Sequence, residues 1–89
     1  LKQMDSDIAK KLGFPEDIRG LVVIDIESGS QASKTDVRQG DLLIEVNRHK
    51  MTTIEGYGKY LDQTNKGGVL QLLFRRGNSH VFVVSFEKP

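Results

Sequence analysis

Apolar residues recur at helical spacing near the start of the chain. Ile8, Ala9 and Leu12 are placed so that they would share one face of a helix. Asp5 precedes them and can cap the first turn, because its carboxylate accepts hydrogen bonds from backbone N–H groups that have no partner in the helix. Gly13 follows them as a helix stop. The pattern predicts a helix of about two turns between Asp5 and Gly13.

A second helical stripe lies after the middle of the chain. Its apolar positions are Ile54, Tyr57 and Leu61. Thr52 and Glu55 match the capping-box pattern, in which the side chain of each residue accepts a hydrogen bond from the backbone N–H of the other. We therefore expect a helix that begins after Thr52 and ends near Asn65.

The other apolar runs are rich in β-branched residues or alternate with polar ones, which is typical of β-strands. Longer strands are predicted at 21–26, 42–46, 69–75 and 80–86. In the first of these strands, Val22, Ile24 and Ile26 would share one face. The segment at the start of the chain, residues 1–4, is also expected to be extended.

Shorter features complete the predicted order of elements. Ser30 can cap a single helical turn around Ala32, Val37 would fill a core position, and Met51 would begin a brief strand. The order is then β, α, β, helical turn, β, short β, α, β, β. It predicts a small α+β domain, a half-open barrel or sandwich of five to six mostly antiparallel strands with two to three helices. We expect one domain over 1–89, excised from a larger protein because Leu1 is not a starting Met.

The composition excludes several classes of function. Thirteen basic and twelve acidic residues give a net charge of +1, so the chain has no strong electrostatic attraction for nucleic acid. The absence of cysteine excludes disulfides, thiolate metal sites and thiol catalysis. No segment approaches the roughly 20 apolar residues that cross a membrane, so membrane insertion is not expected.

Catalytic and metal-binding patterns are also missing. His49 and His80 lie in or beside predicted turns, away from ligand spacing, and no carboxylate cluster would complete a metal site. The serines are outside any nucleophile-turn motif, and the glycines form no phosphate-binding loop. We therefore predict no catalytic residue, no metal and no cofactor in this chain.

Three segments in this order resemble a known family, and the last of them is the Thr52 to Leu61 helix with the Leu72 to Gly77 strand end. Gly20-Leu21-Val22-Val23 followed by Glu27 to Ala32 is similar to the PDZ pattern of a glycine, a hydrophobic run and G-S-x-A. Val37 to Asn47 is similar to the PDZ segment L-R-x-G-D-x-I-x-x-V-N. The resemblance covers nearly the whole chain. It implies a PDZ fold and a peptide-binding module without catalytic machinery.

The subtype of PDZ domain is also indicated. The capped helix D-S-D-I-A-K-K-L-G, which begins at Asp5, and the ending F-R-R-G, which begins at Phe74, resemble the second or downstream PDZ domain of HtrA/Do-like serine proteases. The resemblance implies a parent serine endopeptidase of the bacterial periplasm or cell envelope that acts in protein quality control. PDZ domains of other processing proteases, tail-specific or membrane-embedded, remain an alternative.

The resemblance also implies a binding mode, the addition of a ligand strand to an exposed sheet edge beside a helix. By resemblance, the edge is residues 1–4 and the helix is residues 54–61. The predicted peptide-binding residues are Leu1, Lys2, Gln3, Met4, Tyr57, Gly58, Tyr60 and Leu61. The ligands would be apolar peptide segments or C termini of unfolded proteins. The carboxylate-binding loop typical of the family would precede Leu1 and is not part of this sequence.

Each of these positions also has a structural explanation. Tyr57 and Leu61 could simply face the core, since an apolar helical stripe usually does. Gly58 could leave room for a ligand side chain, or it could be a tolerated weak point in the helix. The alternative function is structural or regulatory, in which the domain docks on other domains or subunits of the parent protease and captures no peptide.

Overall fold

The computed structural model describes residues 2–15, 17–24, 26, 28–29, 32–77 and 80–87, and of Ala32 only the backbone. Its elements are β1 (Lys2–Gln3), α1 (Ser6–Leu12), β2 (Leu21–Val22), a short 3₁₀ helix (Ala32–Lys34), β3 (Leu42–Val46), β4 (His49–Lys50), α2 (Ile54–Asp62), β5 (Val69–Arg76) and β6 (His80–Glu87). The strands form one antiparallel sheet in the order β1-β2-β3-β5-β6, and β4 pairs with β3. The predicted α+β class, with six strands, is therefore confirmed. Leu1, Ser30 and the other residues outside these ranges are not described.

The sheet has a core on each face because neighbouring residues of a strand point to opposite sides. Leu21 pairs with Leu43, while Val22 pairs with Leu42. The first pair belongs to the larger core, which lies under α2 and comprises Leu21, Val23, Val37, Leu43, Val46, Met51, Leu70, Leu72 and Phe74. The second pair belongs to the smaller core, which lies under α1 and comprises Met4, Ala9, Phe14, Val22 and Leu42. The molecule is therefore a sheet between two helices.

The helix α1 forms as the sequence predicts. The Asp5 carboxylate accepts a hydrogen bond of 2.9 Å from the backbone N–H of Ile8. Gly13 ends the helix with φ of 78°, a left-handed conformation that L side chains rarely adopt. The Phe14 N–H then donates to the Ala9 carbonyl at 2.9 Å. Both ends of α1 are thus satisfied by groups that are close in sequence.

The predicted cap of α2 is wrong by one residue. Thr53, and not Thr52, is the N-cap, and its hydroxyl accepts a hydrogen bond of 2.9 Å from the Gly56 N–H. The helix also ends at Asp62, before the predicted end near Asn65. Two adjacent threonines offer the same chemistry at a helix start, so the backbone that leads into the helix decides which of them caps it.

The strand predicted over 21–26 is also shorter in the structure. After Val22 the chain leaves the ladder and pairs with a turn: the Val23 N–H donates to the Asp41 carbonyl and the Gly40 N–H donates to the Val23 carbonyl, both at 2.8 Å. Ile24 is 49% exposed although Val22 is buried, so the two do not share a buried face. Ile26 packs against the larger core. The predicted common face of these three residues is therefore wrong.

Two residues of the sequence motifs join distant strands. Asp41 is almost fully buried and binds Arg76 at 2.8 and 2.9 Å through both carboxylate oxygens, while it also accepts the Arg38 N–H at 2.7 Å. Asn47 has φ of 50° in the turn after β3, and it exchanges hydrogen bonds with the backbone of Gln71. The Asp of the G-D pair and the Asn of the V-N pair therefore have a structural role, since each binds a residue of β5.

Candidate functional site

The edge strand β1 presents alternate side chains to the two faces of the sheet. Lys2 pairs with Val22, so it lies on the face of α1. Gln3 pairs with Leu21, so it lies on the face of α2. The Gln3 side-chain oxygen accepts a hydrogen bond of 2.9 Å from the backbone N–H of Ile54, the first residue of α2. The edge and the helix are therefore adjacent, as the resemblance predicts.

Met4 differs from the other predicted edge residues because its side chain is buried in the smaller core. Its N–H donates to the Gly20 carbonyl at 3.0 Å, so this backbone group is already paired. Of the four predicted strand residues, Gln3 is the one whose described side chain faces α2. Leu1 lies outside the described residues.

The aromatic residues of α2 pack toward the sheet. Tyr57, Tyr60 and Leu61 are half-buried and contact the larger core. The Tyr60 hydroxyl accepts a hydrogen bond of 3.0 Å from the Asn47 side-chain amide, so it points to the turn after β3. Burial raises the pKa of the Tyr57 hydroxyl above its ordinary value. All three residues therefore take part in the packing of α2 on the larger core.

A second pair of α2 residues lies beside Tyr57 and Leu61. Ile54 and Gly58 are one turn apart, and Ile54 is 40% exposed. A Cβ atom added to Gly58 would meet no heavy atom within 4 Å, so there is open space above this glycine. Because the Ile54 N–H binds Gln3, this side of the helix starts next to the edge strand. We call the open space beside Ile54 and Gly58, on the side of α2 that starts next to β1, the gap.

The resemblance places Ile54 at the start of the helix beside the edge strand, but Ile54 is not among the predicted peptide-binding residues. The signal was the spacing of Ile54 and Gly58, which is the same i, i+4 spacing as that of Tyr57 and Leu61. The two pairs differ in direction by about 60° on a helix of 3.6 residues per turn. One pair can then face the core while the other faces the gap.

The described part of the chain offers little for catalysis. Within it, no three His, Asp or Glu side chains are grouped so that they could hold a metal ion. His49 and His80 each lie beside an aromatic ring, with ring centroids 5.4 Å from Tyr60 and 5.3 Å from Phe82. None of the described helices is long and apolar enough to cross a membrane.

Comparisons with known proteins identify relatives of this chain. No model of a known protein family matches it. Three curated proteins described as "Probable periplasmic serine endoprotease DegP-like" align with most of it. Those from Chlamydia trachomatis and Chlamydia muridarum are 32% and 33% identical over 84 residues, or 94% of the chain, and that from Chlamydia pneumoniae is 30% identical over 73 residues. The chain spans 15–17% of the length of these relatives.

A solved structure identifies the fold. The PDZ domain of an SdrC-like protein from Listeria monocytogenes matches with a TM-score of 0.66 at 15% identity, over 76% of this chain and 70% of that one. The chain thus has a PDZ fold, and its homologues over most of its length are DegP-like serine endoproteases. The aligned segment is a PDZ-like module, which is non-catalytic. Whether it is the downstream PDZ domain stays a prediction.

Proposed function

We propose that this PDZ module captures extended, apolar peptide segments by strand addition at β1. The observation that carries the proposal is the position of β1, which ends the sheet beside the open side of α2. Among the described residues, β1 pairs with β2 alone, so its other side is available to a ligand strand. Backbone hydrogen bonds would provide affinity for any extended peptide, and the gap beside α2 would provide selectivity.

The gap has a suitable lining for one apolar side chain. Ile54 supplies apolar surface, and Gly58, one turn along the helix, leaves open space. The Gln3–Ile54 hydrogen bond fixes the distance between the edge and the start of the helix. An entering strand would therefore lie along β1 with one side chain over Gly58.

The relatives support a wider context for this activity. Their printed name describes periplasmic serine endoproteases. We propose that this module belongs to an HtrA/Do-like protease of the periplasm, in which it would bring unfolded segments to a separate protease domain. Such a module needs no cofactor, because strand addition and apolar contact supply the affinity.

The proposal is tested by NMR titration of the ¹⁵N-labelled 89-residue chain with short peptides whose last residue is varied. Saturable shifts in Lys2–Gln3 and Ile54–Leu61, stronger for apolar than for charged last residues, are expected. Gly58→Leu should abolish these shifts because the new side chain fills the gap. Lys59→Leu is the matched control. Because the Lys59 side chain is exposed, this variant should bind peptide like the original chain. If Gly58→Leu leaves the shifts unchanged, the proposed groove is wrong.

A second candidate function is docking within a larger assembly. The observation that favours it is a set of exposed valines on β5 and β6: Val69 and Val83 are 61% exposed and Val81 is 52% exposed. Surface apolar groups of this kind are common at interfaces between proteins. If no peptide shifts β1 or α2, and Val83→Ser abolishes an association detected by sedimentation velocity, the assembly role is favoured.

A further inference from the structure

An apolar cleft lies on the opposite face of the sheet from the gap beside α2. It has a volume of about 480 Å³ and runs between α1 and the end of β2. Ile8 and Leu12 line it on the helix side, and Ile24 lines it on the strand side. We call it the α1 cleft. Its volume is within the range of sites that hold small-molecule ligands.

The apolar lining of the α1 cleft is partly open to solvent. Leu12 is 38% exposed and Ile24 is 49% exposed, while Ile8 is half-buried. This follows from the orientation of α1, which places Ala9 in the core and so turns Ile8 and Leu12 toward its flank. Apolar side chains from two elements therefore line the same open space.

The charged residues described at the rim of the α1 cleft are both lysines. Lys2 lies on the β1 side and Lys11 on the helix side, and among the described residues that line the cleft there is no carboxylate. Within the described part of the chain, neither lysine forms an ion pair. The Asp5 carboxylate is engaged as the cap of α1. The cleft thus offers two ammonium groups beside an apolar surface.

The backbone around the α1 cleft is largely paired, so strand addition is not its binding mode. The N–H and C=O of Val23 bind the turn at residues 40–41. The Ile24 carbonyl accepts a hydrogen bond of 2.8 Å from the Gln39 side chain. An occupant would bind through side chains, which distinguishes this cleft from the β1 edge.

We propose that the α1 cleft is a docking site for an acidic, apolar segment of a partner protein. One or two apolar side chains of the segment would fill the space between Leu12 and Ile24. Flanking carboxylates of the segment would pair with Lys2 and Lys11. The proposal does not depend on peptide capture at β1, because the two sites lie on opposite faces of the sheet.

The test is an NMR titration of the 89-residue chain with an acetylated and amidated peptide in which a Leu-Phe pair is flanked by two glutamates on each side. Saturable shifts are expected in the methyl groups of Ile8, Leu12 and Ile24. A matched peptide with glutamine in place of glutamate should bind more weakly than the glutamate peptide. A matched peptide with lysine should bind more weakly still. The affinity for the glutamate peptide should also fall as salt is added.

Variants locate the site. Lys2→Gln and Lys11→Gln should each weaken binding about two- to fivefold, as expected for partly exposed ion pairs. Leu12→Ala should weaken it about five- to tenfold because apolar contact is lost. Lys66→Gln, at an exposed lysine between α2 and β5, is the control and should leave the affinity unchanged. Circular dichroism establishes that each variant is folded.

Three outcomes would overturn the proposal. One is an absence of saturable shifts with the glutamate peptide. Another is equal binding of the glutamate and lysine peptides. The third is a set of shifts confined to Gln3 and Ile54–Leu61, which would assign the peptide to the groove of the proposed function. If sodium laurate shifts the cleft and the glutamate peptide does not, the cleft binds a free fatty acid and the docking proposal also fails.

Discussion

The helices α1 and α2 pack on opposite faces of the same sheet, but the structure holds them by different means. α1 is capped at both ends, by Asp5 and Gly13, and its Ala9 is completely buried. α2 is capped by Thr53 at its start, contains Gly56 and Gly58, and has no fully buried residue. Its apolar side chains cover the core while they remain half-open to solvent.

This difference separates anchoring from adaptability. A helix with few buried contacts and interior glycines opens locally at a lower free energy than one that is locked at both ends. The helix beside the proposed peptide groove is therefore the more adjustable of the two. The α1 cleft, in contrast, has a firmly held helix as one wall. Substitutions in the two helices can test this contrast directly.

The largest expected effect comes from filling the space at Ala9. Ala9→Leu should lower the free energy of unfolding by about 2 kcal/mol, because the smaller core has no room for three more carbon atoms. The midpoint of thermal unfolding should fall by about 10 °C. Gly58→Leu is the matched change in α2 and should cost little stability, since the space above Gly58 is open. Thermal unfolding followed by circular dichroism measures both, and equal losses would contradict the contrast.

Smaller effects on stability are expected when alanine replaces Gly13, which caps α1, or Gly58, which lies inside α2. The two effects should have opposite signs. Gly13→Ala should destabilise the chain by about 1 kcal/mol, because an L side chain is strained at φ of 78° even though space is available. Gly58→Ala should instead stabilise it by about 0.5–1 kcal/mol, since alanine favours the helix interior. Urea unfolding measures both changes. If Gly58→Ala is also destabilising, the mid-helix position is more constrained than the structure indicates.

The smallest effect concerns the ionisation of Tyr57. Burial raises the pKa of its hydroxyl above the ordinary value of 10.0, so the unfolded chain loses this proton at lower pH than the folded chain. The stability that Tyr57 contributes is complete below pH 10 and is lost as the pH rises through the folded-state pKa. The difference in unfolding free energy between the original chain and Tyr57→Phe should therefore shrink or reverse above about pH 10. A difference that is constant up to about pH 11 would contradict the burial of this hydroxyl.

Local features of the fold could be predicted from the sequence because they depend on residues close together in the chain. The caps of α1 join residues three to five positions apart, Asp5 with Ile8 and Ala9 with Phe14. The short length of β2 could not be predicted. Val23, the residue after β2, binds the turn at Gly40 and Asp41, which is distant in sequence. The choice between Thr52 and Thr53 also depends on the path of the preceding backbone.

The candidate site was only partly predictable for a related reason. The family resemblance implies a helix beside an edge strand, and the Gln3–Ile54 hydrogen bond is consistent with that. It does not indicate which of two overlapping i, i+4 pairs faces the core, because both Tyr57 with Leu61 and Ile54 with Gly58 have the same spacing. Met4 was predicted at the edge because it is adjacent in sequence, yet the packing of α1 draws its side chain inward.

The alternation along β1 has a consequence for how this surface could change. Lys2 and Gln3 are neighbours in sequence, and they belong to opposite faces of the sheet. A single-residue insertion or deletion ahead of Met4 would leave the strand paired but exchange the two faces. A lysine would then stand beside α2 and a neutral side chain beside Lys11. One slip of register would thus move a positive charge from the α1 cleft to the side of α2.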